Sequence, residues 1–180
     1  PLTEAMAEQF QGENADVKVT VGTSGTGGGF EKFCAGETDA NDASEAIGDE
    51  EIAACEKGGV KYEELQIAND ALTVVVNPEN PVTCMTVDQL KSVWEPDSKL
   101  SSWSEIQGLE PPYDESLDLY GPGSDSGTFG YFTEAINGRA RSSRTDYQAS
   151  EDDNVLVQGV SGERGGLGYF GYSYYTENRS

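Results

Sequence analysis

The sequence predicts an α/β fold in which most strands are parallel. Strand-like runs alternate with segments of helical spacing along the 180 residues, and no segment repeats. Two turns rich in glycine and hydroxyl side chains, residues 22–29 and 121–128, each follow a strand-like run and precede a helix-like segment. Ligands of such folds bind at the carboxyl ends of strands, and we expect both turns to lie there.

The first half of the chain carries clear signals for where helices begin and end. Apolar residues recur at helical spacing from the start, with Pro1 in the first turn. Acidic residues open a later helix, and Gly58 and Gly59 end it. The expected elements are, in order, a helix over residues 1–11, a strand over 17–21, a short helix over 30–34, a strand-to-helix edge at 39–44 and a helix over 49–57.

The second half continues the alternation. A β-branched run predicts a buried strand that ends at Pro78, and Thr86 with Gln89 forms the sequence of a capping box. Ser150 is expected to cap a later helix. The expected elements are a strand over residues 72–77, a helix from 86 to 94, a connection over 95–112, a strand over 117–120, a helix over 129–136, a helix over 150–158 and a strand over 167–170.

The charge of the chain restricts its partners and its chemistry. The sequence has 11 Lys and Arg against 33 Asp and Glu, a formal net charge of −22, and no histidine. So acidic a chain is not expected to bind nucleic acid or an anionic membrane surface. The missing histidine excludes Ser-His-Asp and Cys-His catalysis and counts against a hydrolase. The acidity is typical both of an ordinary solvated surface and of a halophilic protein, and the composition leaves the two open.

The cysteines permit at most one internal disulfide. Cys34, Cys55 and Cys84 are an odd number, and their spacing fits no metal-binding motif. Buried free thiols are one expectation, and a Cys34–Cys55 disulfide in an exported protein is the other. We expect no metal and no cofactor.

The two turns predict an anion site. A strand, a Gly/Ser/Thr turn and a helix together place backbone N–H groups and hydroxyls at a helix N-terminus, where an anion can be held. The first turn lacks the third spaced glycine of a dinucleotide fingerprint and the Gly-Lys of a P-loop. The second has Asp125 where a nucleophile elbow has serine. A flexible loop is the alternative for either turn alone, but two matched turns favour two walls of one site.

An arginine cluster supplies a candidate cationic ligand. Arg139, Arg141 and Arg144 are three of the five arginines, and none precedes them. A guanidinium is the best side-chain partner for a tetrahedral oxyanion, and Arg144 is the predicted ligand. A solvated loop that balances nearby acids is the alternative for each of the three.

Three carboxylates, Asp42, Glu45 and Asp125, lie within or beside the candidate site. A carboxylate there would accept the proton of a protonated anion and would reject a fully ionised one such as sulfate. The alternative for each is an ordinary surface acid, the default in so acidic a chain.

Five segments resemble the phosphate-binding proteins of ABC phosphate importers, and the resemblance spans nearly the whole chain. The segments are residues 22–25, 42–44, 72–78, 121–129 and 150–154, of which 121–129 is the most specific. The resemblance implies a two-lobed, type II periplasmic-binding-protein fold, with helices on both faces of its sheets and a phosphate cleft between the lobes. Lobe I would comprise residues 1–75 and 168–180, and lobe II residues 76–167.

The same resemblance implies the site and the partners. A periplasmic or extracellular monomer would bind inorganic phosphate, without catalysis, and deliver it to an ABC permease. Glu45 follows an Ala-Ser pair, where many relatives have an acidic acceptor and others have arginine. The implied phosphate ligands are Thr23, Ser24, Gly25, Glu45, Ser126, Gly127 and Thr128, with Ser44, Asp42 and Asp125 beside them.

The chain departs from the family pattern in two places. Some relatives have arginine just before the second turn, where this chain has Pro122, so Arg144 is expected to supply the guanidinium. The family also begins with a strand and a phosphate-contacting Ser/Thr loop, which we expect this sequence to lack, together with the family's C-terminal part. The alternatives in other functional classes are an enzyme acting on phosphate esters and an extracellular adhesion or matrix protein.

Overall fold

A computed structural model describes residues 2–178, apart from the side chain of Leu2. The helices are α1 (Leu2–Glu13), α2 (Gly25–Cys34), α3 (Asp49–Gly58), α4 (Val87–Trp94), α5 (Gly127–Asn137), α6 (Asp153–Gly162) and α7 (Tyr172–Glu177), with a 3-10 turn at Trp103–Glu105. The strands are β1 (Leu72–Val76), β2 (Asp118–Gly121), β3 (Gln148–Ala149) and β4 (Gly166–Gly171). No helix within residues 2–178 is both long enough and apolar enough to cross a bilayer.

Four strands of the described chain form one sheet in the order β1-β4-β2-β3. Strand β2 pairs in parallel with β3 and with β4, and β1 pairs with β4 in antiparallel orientation. Of the three pairings between these four strands, two are therefore parallel. The α/β class and the mostly parallel sheet predicted from the sequence are confirmed.

Helices cover both faces of this sheet. Successive side chains of a strand point to opposite faces, and β4 shows this alternation. On one face Tyr169 packs against Trp94 of α4 and Phe132 of α5, with ring centroids 5.0 and 3.7 Å away. On the other face Phe170 belongs to a separate buried cluster with Leu156 and Val160, both in α6. In the resulting α/β/α layering the faces of the sheet are covered, so a binding site can form only at the ends of strands and helices.

The predicted helix boundaries at α3 and α4 are confirmed. The Thr86 hydroxyl accepts from the Gln89 backbone N–H at 3.2 Å, and the Gln89 side chain accepts in return from the Thr86 N–H at 2.8 Å. This capping box satisfies donors that the first helical turn would otherwise leave unpaired. Helix α3 ends at Gly58 and is capped by Gly59, which is left-handed with φ 71°, a conformation that favours glycine. The N-terminal helix is also present from Leu2, whereas Pro1 lies outside the described residues.

Several element predictions are wrong in detail. Residues 17–21 do not form a strand, because a strand needs a hydrogen-bonding partner and no segment within residues 2–178 pairs with them. Residues 39–44 are likewise irregular. Helix α2 begins at Gly25, five residues before the predicted start, because its glycines pack closely against other segments.

Two further expectations, for α6 and β1, need correction. Asp152 caps α6 by accepting from the Asn154 N–H at 3.0 Å, whereas the Ser150 hydroxyl, two residues earlier, accepts from the Asp152 N–H. In β1, Val75 is buried but Leu72 and Val76 are only half-buried, since β1 lies at the edge of the sheet.

A disulfide joins Cys34 at the end of α2 to Cys55 in α3. This is the pairing expected for an exported protein, and it replaces the alternative of free thiols at these two positions. Cys84 is exposed and has no disulfide partner within residues 2–178.

Candidate functional site

The two glycine-rich turns contact each other. The Gly27 N–H donates to the carbonyl oxygen of Asp125 at 3.3 Å. A Cβ atom on Gly25 would lie 2.9 Å from the same oxygen, and Gly25 has φ 63°. Both the close approach and the left-handed conformation therefore require glycine at position 25. The structure brings together two turns that lie about a hundred residues apart in sequence.

Both turns lead into helix N-termini. Helix α2 follows Ser24, which forms no side-chain cap within the described chain, and α5 follows Ser126, whose hydroxyl accepts from the N–H groups of Thr128 and Phe129 at 3.1 and 3.5 Å. The Gly127 N–H makes no hydrogen bond with any of residues 2–178. Free N–H groups and the positive ends of two helix dipoles attract an anion.

The segment over residues 41–45 lies between α2 and α5. The Ser44 N–H donates to the Thr26 hydroxyl at 3.3 Å. A Cβ atom on Gly127 would lie 2.6 Å from the Ser44 Cβ, and one on Gly130 would lie 2.9 Å from the Glu45 Oε2. Glycine at positions 127 and 130 thus allows this segment to approach the first turns of α5. Ser44 and Glu45 are brought to the junction of the two turns.

The other two candidate carboxylates are placed differently. The Asp42 Oδ2 accepts from the Thr3 hydroxyl at 2.5 Å, so this side chain points to α1. Asp125 contacts the first turn through its backbone carbonyl, and the residue is exposed. Thr23 is also exposed, and Thr128 is half-buried one residue after Gly127.

Arg141 reaches both turns, which the sequence analysis did not predict. Its Nη1 donates to the Ser124 carbonyl at 3.2 Å, and its Nη2 donates to the Glu45 Oε1 at 3.0 Å. A Cβ atom on Gly27 would lie 3.2 Å from Nη1. The backbone is left-handed at Arg141, with φ 59°, and its N–H donates to the Thr133 hydroxyl at 2.7 Å. The side chain therefore leaves from a fixed point and ends where the two turns meet.

Arg144, the predicted ligand, has all three guanidinium nitrogens engaged elsewhere. Its Nε and Nη2 bind the two carboxylate oxygens of Asp146 at 2.6 and 2.9 Å. Its Nη1 donates to the carbonyls of Val93 and Leu100 at 3.2 and 2.9 Å. The residue is 6% exposed. Within residues 2–178 none of these hydrogen bonds reaches either turn, and the structure does not bring Arg144 together with the other candidates.

Two tyrosine side chains, Tyr147 and Tyr169, contact the start of the second turn. The Tyr147 hydroxyl donates to the Pro122 carbonyl at 2.8 Å, and burial raises the pKa of Tyr147 to about 12, which keeps this donor protonated. A Cβ atom on Gly121 would lie 2.9 Å from the Tyr169 ring. The turn is therefore held at its first two residues by packing and by one hydrogen bond.

The carboxylate of Glu151 also packs against this turn, where it contacts Gly123. Burial, and then the charges of Asp125 and Asp153, raise the pKa of Glu151. An ionised Glu151 opposes anion binding nearby, since like charges repel.

The match to known proteins covers the whole chain. Residues 1–180 match the family model described as the PBP superfamily domain. The chain belongs to the PBP superfamily. Protein SphX of Synechococcus elongatus is 51% identical over 99% of this chain and 53% of its own length. The phosphate-binding protein PstS of Staphylococcus saprophyticus is 39% identical over 99% of this chain and 54% of its own length. The chain thus spans about half the length of the curated relatives it matches.

Solved structures are also similar to this chain, and one of them is described with bound phosphate. A possible phosphate-binding protein from Planctomyces limnophilus is 52% identical, with a TM-score of 0.65, over 99% of this chain and 63% of that one. A putative phosphate ABC transporter substrate-binding protein with bound phosphate, from Clostridium perfringens, is 27% identical, with a TM-score of 0.76, over 97% of this chain and 67% of that one. These matches and the mixed α/β sheet confirm the PBP-like fold class that the sequence resemblance implied.

In this PBP-superfamily domain the position of Arg141 at the site could not be predicted from the sequence. Arg141 belongs to the arginine cluster that the sequence indicates. Its neighbour Arg144 was predicted as the ligand instead, because it stands beside Thr145 and Asp146. The left-handed backbone of Arg141 depends on Thr133, eight residues earlier in α5. No local pattern in the sequence reports that contact.

Proposed function

We propose that this PBP-superfamily domain binds inorganic phosphate where its two glycine-rich turns meet, as part of a protein that delivers phosphate to an ABC importer. The observation that carries the proposal is the convergence of the N-termini of α2 and α5 with the Arg141 guanidinium. Relatives named as phosphate-binding proteins and as a phosphate ABC transporter substrate-binding protein support it.

The proposed donors are neutral groups and one guanidinium. Hydrogen bonds to a charged partner are worth about 1.5–3 kcal/mol each, against about 1 kcal/mol for neutral pairs. Several neutral donors can therefore hold a phosphate although the chain has a net charge of −22. The donors are the hydroxyls of Thr23, Ser24, Ser126 and Thr128 and the backbone N–H groups of Gly25 and Gly127, with Ser44 beside them.

Arg141 takes the role first expected of Arg144. Its two terminal nitrogens already point to groups of the site, whereas those of Arg144 bind Asp146 and backbone carbonyls. A guanidinium presents parallel N–H donors that match two oxygens of a phosphate. We therefore assign the cationic ligand to Arg141.

The proposed lobes meet along one pair of strands. Their boundaries, at residues 75/76 and 167/168, lie opposite each other, because Val75 pairs with Gly168 and Val76 pairs with Leu167 in the β1–β4 ladder. Lobe I would be residues 1–75 and 168–180, of which 1, 179 and 180 lie outside the described residues, and lobe II residues 76–167. Bending of these two adjacent strands would open and close the cleft.

The proposed setting is outside the cytoplasmic membrane. The Cys34–Cys55 disulfide supports a periplasmic or extracellular location, since disulfides persist in oxidising compartments. We further propose that the protein acts as a monomer and binds phosphate without turnover, handing it to the permease.

Calorimetric titration of the purified protein with phosphate and with sulfate tests this function. We expect saturable binding of phosphate with sulfate at least tenfold weaker, and no release of phosphate from a generic phosphate ester. Thr128→Val should weaken phosphate binding about tenfold, by loss of one charge-assisted hydrogen bond, and exposed Thr145→Val is the matched control. Equal binding of both anions, or no binding of either, would contradict the proposal.

A further inference from the structure

We infer that Glu45 competes with the bound anion for the guanidinium of Arg141. The Glu45 carboxylate accepts from a guanidinium nitrogen that an anion oxygen would also use, so the anion must displace it to bind. The inference rests on the proposed phosphate site and assigns Glu45 a role different from that of an acceptor for the phosphate proton.

The geometry of Arg141 leaves Glu45 as its ionic partner at the junction of the turns. Nη2 lies 3.0 Å from the Glu45 Oε1, while Nη1 is held by the Ser124 carbonyl of the second turn. The guanidinium also lies against Gly27 of the first turn. One arginine thus touches the first turn, the second turn and the segment between them.

The surroundings of Glu45 are those of an anion site. Its carboxylate lies against Gly130, in the first turn of α5, whose N-terminal Gly127 N–H has no hydrogen-bond partner within residues 2–178. A helix N-terminus and a guanidinium attract any anionic oxygen, whether it belongs to a carboxylate or to phosphate. The carboxylate of Glu45 and an incoming anion therefore compete for the same positive groups.

The ion pair is weak enough to be displaced. The side chains of Arg141 and Glu45 are 38% and 30% exposed, and ion pairs in contact with water contribute little. Phosphate offers more oxygens and more charge than one carboxylate, so it gains hydrogen bonds that Glu45 cannot make. Removing the competing charge should strengthen anion binding about two- to fivefold, the range of exposed ion pairs.

Calorimetry on the parent protein and four variants separates competition from a general charge effect. Glu45→Gln keeps the shape of the side chain and removes its charge. Asp39→Asn removes the same charge from an exposed position six residues before Glu45. Arg141→Gln and the double variant Glu45→Gln/Arg141→Gln complete a cycle that isolates the interaction of the pair. Circular dichroism and thermal melting establish that each variant is folded.

We expect Glu45→Gln to bind phosphate about two- to fivefold more tightly than the parent, and Asp39→Asn to change affinity by much less. In the Arg141→Gln background, Glu45→Gln should strengthen phosphate binding no more than Asp39→Asn does in the parent protein. Equal effects of Glu45→Gln and Asp39→Asn would overturn the competition. So would weaker phosphate binding by Glu45→Gln, which is the result expected if the carboxylate accepts the phosphate proton. If the parent protein does not bind phosphate at all, the proposed function itself is wrong.

Discussion

At the scale of single residues, Arg141 and Arg144 have different roles although they are three positions apart. The buried Arg144 ties the end of α4 to the loop before β3 through Val93, Leu100 and Asp146, whereas the more exposed Arg141 reaches the turns. A buried arginine that bonds backbone carbonyls stabilises the fold, because its removal leaves those carbonyls without partners.

Arg144→Ala should therefore lower the free energy of unfolding by roughly 2–3 kcal/mol, the cost of a few unpaired buried polar groups. The folded variant should bind phosphate as the parent does. Chemical denaturation and calorimetry check both parts, with Arg164→Ala, 63% exposed, as the control that changes little. Lost phosphate binding at unchanged stability would return the ligand role to Arg144.

Glu151 gives the protein a defined dependence on pH. Its pKa is raised above the ordinary value of 4.5, mainly by burial, so the folded state binds this proton more tightly than the unfolded state does. The resulting stabilisation is present below pH 4.5 and is lost as the pH rises through the raised pKa. At pH 7 the ionised carboxylate therefore destabilises the second turn.

We accordingly expect Glu151→Gln to raise the melting temperature at pH 7 and to leave it unchanged at pH 4 or below. Melting curves across this range measure the effect, and exposed Glu134→Gln on α5 is the matched control. A gain that persists in acid would show that the substitution acts by packing and not by charge.

At the scale of elements, the disulfide fixes α2, and with it the first turn, against α3. The bond closes a loop between positions 34 and 55, and a crosslink over such a length contributes about 3 kcal/mol. Cys34→Ser/Cys55→Ser should lower the unfolding free energy by about that amount and weaken phosphate binding, because the Ser24–Gly25 turn is then less restrained. Cys84→Ser, at an exposed free thiol, should change neither. Equal stability of the double variant and the parent would contradict this account.

The elements with strong local signals were predictable from the sequence. The capping box at Thr86 and the glycine end of α3 are short-range patterns, and both are confirmed. The alternating pattern at residues 17–21 predicted a strand that is absent. Its absence could not be predicted locally, because strand pairing depends on a partner from elsewhere in the chain. For the site, the two turns could be found from glycine and hydroxyl content alone. The ion pair between Glu45 and Arg141 could not, since it joins residues 96 positions apart.

At the scale of the whole molecule, the net charge of −22 sets the conditions under which the fold is stable. Mutual repulsion of carboxylates favours the expanded chain, and at 0.1 M salt that repulsion is largely screened beyond about 10 Å. We expect the melting temperature to rise by several degrees between 0.05 and 1 M KCl. The rise should continue to higher salt if the acidity is an adaptation to brine, and should level off near 1 M if it is only a solvated surface. A melting temperature that falls over this range would show that attractive ion pairs dominate.

The most direct test of the central claim is a phosphate titration followed by backbone amide NMR. The claim is that two turns far apart in sequence form one anion site. It predicts that the N–H resonances of Gly25 and Gly127 shift together, with the same apparent dissociation constant. The resonance of exposed Gly36, two residues beyond the far end of α2, should not shift. Shifts confined to one turn, or different dissociation constants at the two glycines, would contradict a shared site.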